Sequence, residues 1–321
     1  MQFRGREVIL GTIEVKKKSN VILTWPSYWS NGYVVRYGQQ NKERKANMKA
    51  MRKVAVGMAM LAAAGGIAMA GDAKKIVVDG STTVGPIAKA FAEYYMGKHP
   101  DVNITVSESG SGNGAKSLIN AACDVATMSR PMKNSETKAA QDAGILPIEH
   151  IVAMDGIAVV VHPSNPLANL TTDQIRDIYT GKIKNWKELG GPDRPIVVIS
   201  RDTNSGTYET FETLVMNKEK MGEKVEYVGS NGAIRQRVMS TPAAIGYVGL
   251  AFTEGVKAVT VNAVEVSPET VVSKKYPISR PLYMYTNGRP KQGSPLEDFI
   301  NLSGTPEGKR IIEDTGFVPV K

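Results

Sequence analysis

Along residues 75–129 the apolar positions alternate between two periods. "KIVVDG" (75–80) is a short β-branched run, and "PIAKAFAEYYMGKH" (86–99) then places Ile87, Phe91, Tyr94 and Tyr95 at helical spacing. "VNITVSES" (102–109) returns to a strand pattern, "AKSLINAA" (115–122) to a helix and "DVATMS" (124–129) to a strand. A βαβαβ rhythm of this kind predicts a parallel sheet with crossover helices.

A second unit follows "GIAVVVHPSNP" (156–166), an apolar strand that ends in a Pro-rich turn. Thr171 and Gln174 have capping-box spacing ahead of the helix "DQIRDIYTG" (173–181). "RPIVVIS", "KVEYVG", "AIGYVGL" and "AVTVNAV" supply further strands. The last stretch, from "YPISRPLYMYT" through "PLEDFINLS" to "GKRIIEDTGFVPV", is placed to return to the first unit. No internal repeat or low-complexity linker interrupts this order. A chain of this length favours two α/β lobes.

The N-terminal portion changes how composition is read. Met48–Lys53 is basic, Val54–Met69 is apolar and rich in Ala, Gly and Met, and Ala68-Met-Ala70 is a small-x-small cleavage pattern. That is the layout of a secretory signal peptide, and the run is too weakly apolar for a spanning helix. Residues 48–70 are therefore expected to be a cleaved signal, and residues 1–47 a mis-called or disordered extension. The start codon is Met1, Met48 or Met51. The formal charge of +9 belongs to this portion: 12 of the 40 Lys/Arg but only 3 of the 31 Asp/Glu lie in residues 1–70, which leaves 28 of each beyond it. Overall basicity thus gives no argument for nucleic acid, and any anion selectivity must be local.

Local candidates exist at three strand-to-helix turns. "GSGNGAKS" (110–117) falls one glycine short of a nucleotide P-loop, with Ala115 where the last glycine belongs. "DGSTTVGP" (79–86) and "SRDTNSGTYETFETLV" (200–215) are of the same kind, the latter opening a helix with Phe211, Leu214 and Val215 on one face. Hydroxyl residues and glycine stand where a helix leaves its first N–H groups unpaired, a setting that favours anions. Each alone is an ordinary cap or turn. Three together, at the carboxyl ends of strands in an open α/β sheet, mark a ligand cleft. Arg201 adds a forked cation suited to an oxyanion.

Other chemistries find less support. Export and the missing glycine argue against ATP, which leaves Lys116 a solvated first-turn lysine. Cys123, in "NAACDVA", reads as a small buried thiol. His99, His150 and His162 have no metal-ligand spacing and no triad partners, and no G-x-S-x-G occurs. Neither a metal nor a cofactor is expected, and the chain reads as a non-enzyme.

"DGSTTVGPIAKAF", "GSGNGAKSLI", "CDVATMSRPM", "LTTDQIRDIYTGKIKNWKELGGPD", "SRDTNSGTYETF" and "AIGYVGLAF" together resemble the phosphate-binding proteins of ABC-type phosphate transporters. The likeness covers nearly all of 71–321. It implies a type II periplasmic-binding-protein fold, with two α/β lobes joined by two hinge strands and the ligand between them. Lobe 1 is expected to be 71–155 and 279–321, and lobe 2 to be 156–278. The family's phosphate contacts carry over to Thr82 and Thr83, with Ser81 beside them, to Ser111, and to Arg201, Ser205, Gly206 and Thr207. Expected partners are inorganic phosphate and a membrane permease, with no nucleic acid, and the protein is expected to be a periplasmic monomer cleaved near Ala70.

Two positions depart from the family. Ser129 stands where characterised members have an aspartate that accepts the proton of HPO4(2−), and Thr203 stands where they have an acid that pairs with the arginine. Ser129 remains a candidate contact, and Asp155 is a candidate replacement acceptor. Arg130 is either a second cleft charge or an inter-lobe ion pair. The alternatives to phosphate transport are another tetrahedral oxyanion or a secreted phosphomonoesterase.

Overall fold

The computed structural model describes residues 74–320, within one compact unit of residues 70–321. The signal and extension expected over 1–70 lie outside the described residues. The strands are β1 (Lys74–Gly80), β2 (Val102–Ser107), β3 (Val125–Met128), β4 (Pro147–Val161), β5 (Asn169–Leu170) and β6 (Val197–Arg201). They continue as β7 (Glu226–Val228), β8 (Ala244–Gly249), β9 (Lys257–Ala258), β10 (Thr260–Val261), β11 (Ser279–Asn287) and β12 (Val318–Pro319). The main sheet runs β2-β1-β3-β11-β4-β8-β6-β7. Parallel pairs lie at both ends of it, β1 with β2 and β3, and β6 with β7 and β8. The two central strands, β4 and β11, pair antiparallel.

That central pair joins the two halves. β4 pairs with β11 as far as Gly156↔Ser279, then with β8 from Ile157↔Gly249. Ile157 N donates to Ile278 O at 2.8 Å where the chain crosses back. The cores divide at the same place: one cluster gathers Ile157–Val161, Ile175, Tyr179, Phe211, Ile234 and Tyr247, and another gathers Val78, Ile87, Phe91, Val152, Leu282 and Phe299. As "YPISRPLYMYT" suggests, β11 returns to the first half, where it pairs with β3.

The helices that position the cleft are α1 (Gly85–Lys98), α2 (Ser111–Ile119), α3 (Asn134–Asp142), α4 (Thr172–Thr180), α5 (Gly206–Leu214) and α6 (Asn231–Met239). α1 buries Ile87, Phe91 and Tyr95 as its spacing predicts, while Tyr94 is only partly buried under Lys98. In α4, Thr171 Oγ1 accepts from Gln174 N and Gln174 Oε1 accepts from Thr171 N, which is the expected capping box.

Three local readings differ from the structure. The glycine-rich stretch ahead of Ala115 is not a loop, because α2 begins at Ser111. Glycine is needed inside that first turn: a Cβ on Gly114 would lie 2.8 Å from Gly80 Cα and 2.9 Å from Asp79 O, so a larger residue would push the helix off β1. On α5, Phe211 and Val215 are buried but Leu214 is 41 % exposed, since the second half's core reaches only one side of this short helix. The helices α3 and α6 carry too little apolar patterning to be read from sequence. α3 buries only Ala140, and α6 buries Ile234 and Val238 beside an arginine-rich face.

Candidate functional site

The three turns singled out in the sequence converge. Ser81, Thr83, Ser111, Ser205 and Thr207 are all buried in the seam between the halves, as are Thr82, Ser129, Arg130 and Arg201. Each comes from a strand end: Ser81–Thr83 follow β1, Ser129 and Arg130 follow β3, and Arg201 is the last residue of β6. Helix N-termini face the same seam, α1 and α2 from the first half and α5 from the second. The positive ends of their dipoles make the seam favourable to negative charge.

Hydroxyl groups in the seam are held by N–H donors. Ser81 Oγ accepts from Thr83 N (3.1 Å) and Val84 N (3.3 Å). Ser205, the N-cap of α5, accepts from Thr207 N (3.2 Å) and Tyr208 N (3.3 Å). Ser111 Oγ accepts from Ser129 N at 3.0 Å and lies 3.3 Å from Ser129 Oγ. Across the seam, Thr83 Oγ1 and Thr207 Oγ1 are 3.0 Å apart. Gly206 allows this closeness, because a Cβ there would sit 2.5 Å from Ser111 Oγ and 2.7 Å from Ser129 Oγ. Gly112 N also donates to Asn204 O at 2.9 Å, joining the second and third turns directly.

Arg201 is the feature that most points to an anion. It is 1 % exposed, its Nη2 donates to Gly229 O at 2.8 Å, and its Nε and Nη1 are buried without a partner among the described residues. Its backbone N donates to Tyr247 Oη at 3.2 Å, and Tyr247 stacks on Phe211 beneath it. Burial lowers the guanidinium pKa to about 10, so it stays charged at neutral pH. A charged, desolvated group with free donors is costly unless an anion meets it. In the empty protein that cost is present below about pH 10 and is relieved as pH rises through that value.

Arg130 has a different setting. Its Nη1 and Nη2 each donate to Glu136 at 2.7 Å, and its Nε lies 2.9 Å from Glu209 Oε2 on α5, within ion-pair range but poorly aligned for a hydrogen bond. Lys133 Nζ reaches the same Glu209 oxygen at 2.7 Å. Of the two roles open for Arg130, the ion pair is the one whose partners are seen, with Glu136 beside it and Glu209 on α5.

Sequence reasoning missed Arg280 and Asn231. Arg280, on β11, donates through Nε (3.0 Å) and Nη2 (2.8 Å) to Asp155 Oδ2, and through Nη1 to Ser129 O (3.1 Å). Its Nη2 also reaches Thr207 Oγ1 at 3.0 Å and Thr83 Oγ1 at 3.5 Å. Asp155, the candidate replacement acceptor, is bonded within the protein at both oxygens: Oδ2 accepts from Arg280 and Oδ1 from Leu250 N at 3.0 Å. Burial raises the Asp155 carboxyl pKa, and the charge of Arg280 opposes that shift. Asn231, the first residue of α6, donates to Thr83 Oγ1 at 3.0 Å and Thr82 Oγ1 at 3.4 Å, and accepts from Gly249 N. No local signal sets either residue apart, since Arg280 lies in an ordinary strand and Asn231 opens a helix that the pattern hides. Among the described residues no group of His, Cys, Asp and Glu is placed to hold a metal. Lys116 is exposed on α2 and Cys123 is buried.

Residues 66–303 match the family model of the PBP superfamily domain. The phosphate-binding protein PstS of Staphylococcus saprophyticus is 34% identical over 253 residues, which cover 75% of this chain and 78% of the relative. PstS of Bacillus subtilis is 31% identical over 250 residues, covering 76% and 80%. A crystal structure from Clostridium perfringens, described as a phosphate ABC transporter substrate-binding protein with bound phosphate, superposes with TM-score 0.72 at 37% identity. That match covers 77% of this chain and 100% of the other. An ABC-type phosphate transport receptor from Vibrio cholerae superposes with TM-score 0.62 at 29% identity, covering 76% and 99%. The chain belongs to the PBP superfamily, among the phosphate-binding proteins, and has their two-lobed α/β fold.

Proposed function

We infer that this chain is an exported solute-binding protein that captures inorganic phosphate between its lobes and delivers it to the permease of an ABC transporter. The observation that carries the reading is Arg201, a buried guanidinium with two unpartnered nitrogens amid converging helix N-termini and hydroxyls. The family relationship supports the same ligand. In this reading Arg201 gives the fixed charge. Ser81, Thr82, Thr83, Ser111, Ser129, Ser205 and Thr207 give hydroxyls, and the N–H groups at the start of α2 and around Gly206 complete the shell. Lobe 1 is 71–155 with 279–321, lobe 2 is 156–278, and the β4–β11 crossing is the hinge. The protein acts as a periplasmic monomer after cleavage near Ala70.

Transport of this kind makes and breaks no covalent bond, and no nucleophile–base pair faces the cleft among the described residues. Calorimetric titration of the purified protein with phosphate should give one saturable site, and a chromogenic phosphate ester should not turn over with or without zinc, calcium or magnesium. A folded protein that releases no heat with phosphate sinks the binding assignment. Sustained turnover that is lost on mutating the cleft makes the protein a phosphomonoesterase instead.

A further inference from the structure

Among the described residues two ion pairs cross between the lobes, and both end on one carboxylate. Glu209 Oε2, in the first turn of α5, lies 2.7 Å from Lys133 Nζ and 2.9 Å from Arg130 Nε. Every other ion pair among those residues joins two groups of the same lobe. The lobe 1 side of the contact is built without Glu209. Arg130 is forked onto Glu136 through Nη1 and Nη2, and Glu136 Oε2 also accepts from Lys133 N at 2.9 Å. Arg130 and Lys133 against Glu136 leave one positive charge there, and Glu209 brings the opposite charge from lobe 2. The same turn of α5 also seats on lobe 1 by contact: Thr210 Oγ1 donates to Ser129 O at 3.3 Å, and a Cβ on Gly206 would lie 3.1 Å from Arg130 Cγ.

We propose that Glu209 is a positioning residue whose carboxylate latches the first turn of α5 to Arg130 and Lys133, and so holds Ser205, Gly206 and Thr207 against lobe 1. The side chains of Arg130 and Glu209 are only 5 % and 14 % exposed, so the latch is not a solvent-screened surface pair. Opening the lobes breaks both contacts at once. Water repays part of that loss, which keeps the net effect modest. What remains raises the closed fraction, and apparent affinity scales with the fraction that is competent to bind. The inference rests on the proposed lobe division and on phosphate being the ligand.

A latch and a bare charge act with opposite signs. Glu209 sits two residues from Thr207, so by Coulomb repulsion alone its negative charge weakens anion binding, and removing it should strengthen phosphate affinity. Through the latch, removing it lets the lobes part and weakens phosphate affinity. Lys133 supplies the second distinction. A latch needs both partners, so the effects of losing Glu209 and Lys133 should not add, whereas a carboxylate that only steadies the start of α5 is indifferent to Lys133.

The test is calorimetric titration of the purified protein with sodium phosphate, alongside small-angle X-ray scattering without it. Glu209→Gln should weaken phosphate affinity by about fivefold and Lys133→Met by about threefold, while the double variant stays near fivefold instead of reaching about fifteenfold. Without phosphate, Glu209→Gln should have a larger radius of gyration than the wild type, and saturating phosphate should remove the difference. If Glu209→Gln does not fold, Glu209→Asp takes its place, because it keeps the charge and shortens the reach. The latch then predicts weaker binding by about twofold or more, and charge alone predicts no change. Unchanged or stronger phosphate binding in the folded variant, or losses that multiply in the double variant, overturns the proposal. A wild-type protein that binds no phosphate rejects the functional reading, and the radius of gyration of the two proteins still decides the latch.

Discussion

Two buried arginines lie on the same inter-lobe seam, and they have opposite electrostatic settings. Arg130 faces Glu136 and Glu209, with further support from Lys133 on Glu209, so its charge is spent within the protein. Among the described residues Arg201 has no carboxylate partner; its contacts are the Gly229 carbonyl and the Tyr247 phenol, and two of its nitrogens are unsatisfied. Residue type and burial are alike, at 5 % and 1 % exposure, so neither tells a ligand-binding charge from a structural one. What separates them is whether the protein has already satisfied the guanidinium. Arg280 is an intermediate case, paired to Asp155 yet reaching past it to the cleft hydroxyls.

The comparison breaks most sharply at Arg201. Arg201→Ala should lower phosphate affinity by about thirtyfold or more, a loss of about 2–5 kcal/mol for a desolvated charged contact. The thermal melt of the empty protein should stay the same or rise, because the mutation removes an unrelieved buried charge. Unchanged phosphate affinity in the mutant would remove Arg201 from the site.

Arg130 should give the reverse pattern. Arg130→Met leaves Glu136 and Glu209 without their main partner, and chemical denaturation should show a stability loss of about 1–3 kcal/mol, reduced from the fully buried case by the carboxylates' partial exposure. Phosphate affinity should fall only a few-fold, through weaker lobe closure. A mutant that loses affinity as Arg201→Ala does and keeps its stability would show that the two arginines share one role.

A smaller effect is expected at Ser129. Ser129→Asp adds a carboxylate beside the bound anion, which can accept a phosphate proton but repels sulfate. Selectivity for phosphate over sulfate, measured by competition, should improve by about tenfold, or about 1.4 kcal/mol. If the wild-type protein already excludes sulfate and the variant behaves identically, the Ser129 hydroxyl does not set this discrimination.

The sequence determined the parts of this protein that depend on neighbours along the chain. Strand-to-helix alternation follows from local periodicity, and caps such as Thr171 and Ser205 follow from residue type at a helix start. The three hydroxyl-rich turns were legible for the same reason, since each is a contiguous segment whose chemistry does not depend on what it meets. Even there the start of α2 at Ser111 is hidden from local pattern, because the need for Gly114 comes from its approach to Gly80 and Asp79 on β1.

Tertiary structure decided the rest. Arg280 meets Asp155 across 125 positions, and Asn231 meets Thr83 across 148. Arg130 meets Glu209 across 79 positions, from the helix that opens at Gly206. A charged or amide side chain carries the same chemistry whether it binds a ligand, pairs with a neighbour or aims another group. Only the partners that folding brings within about 3 Å fix which of these it does.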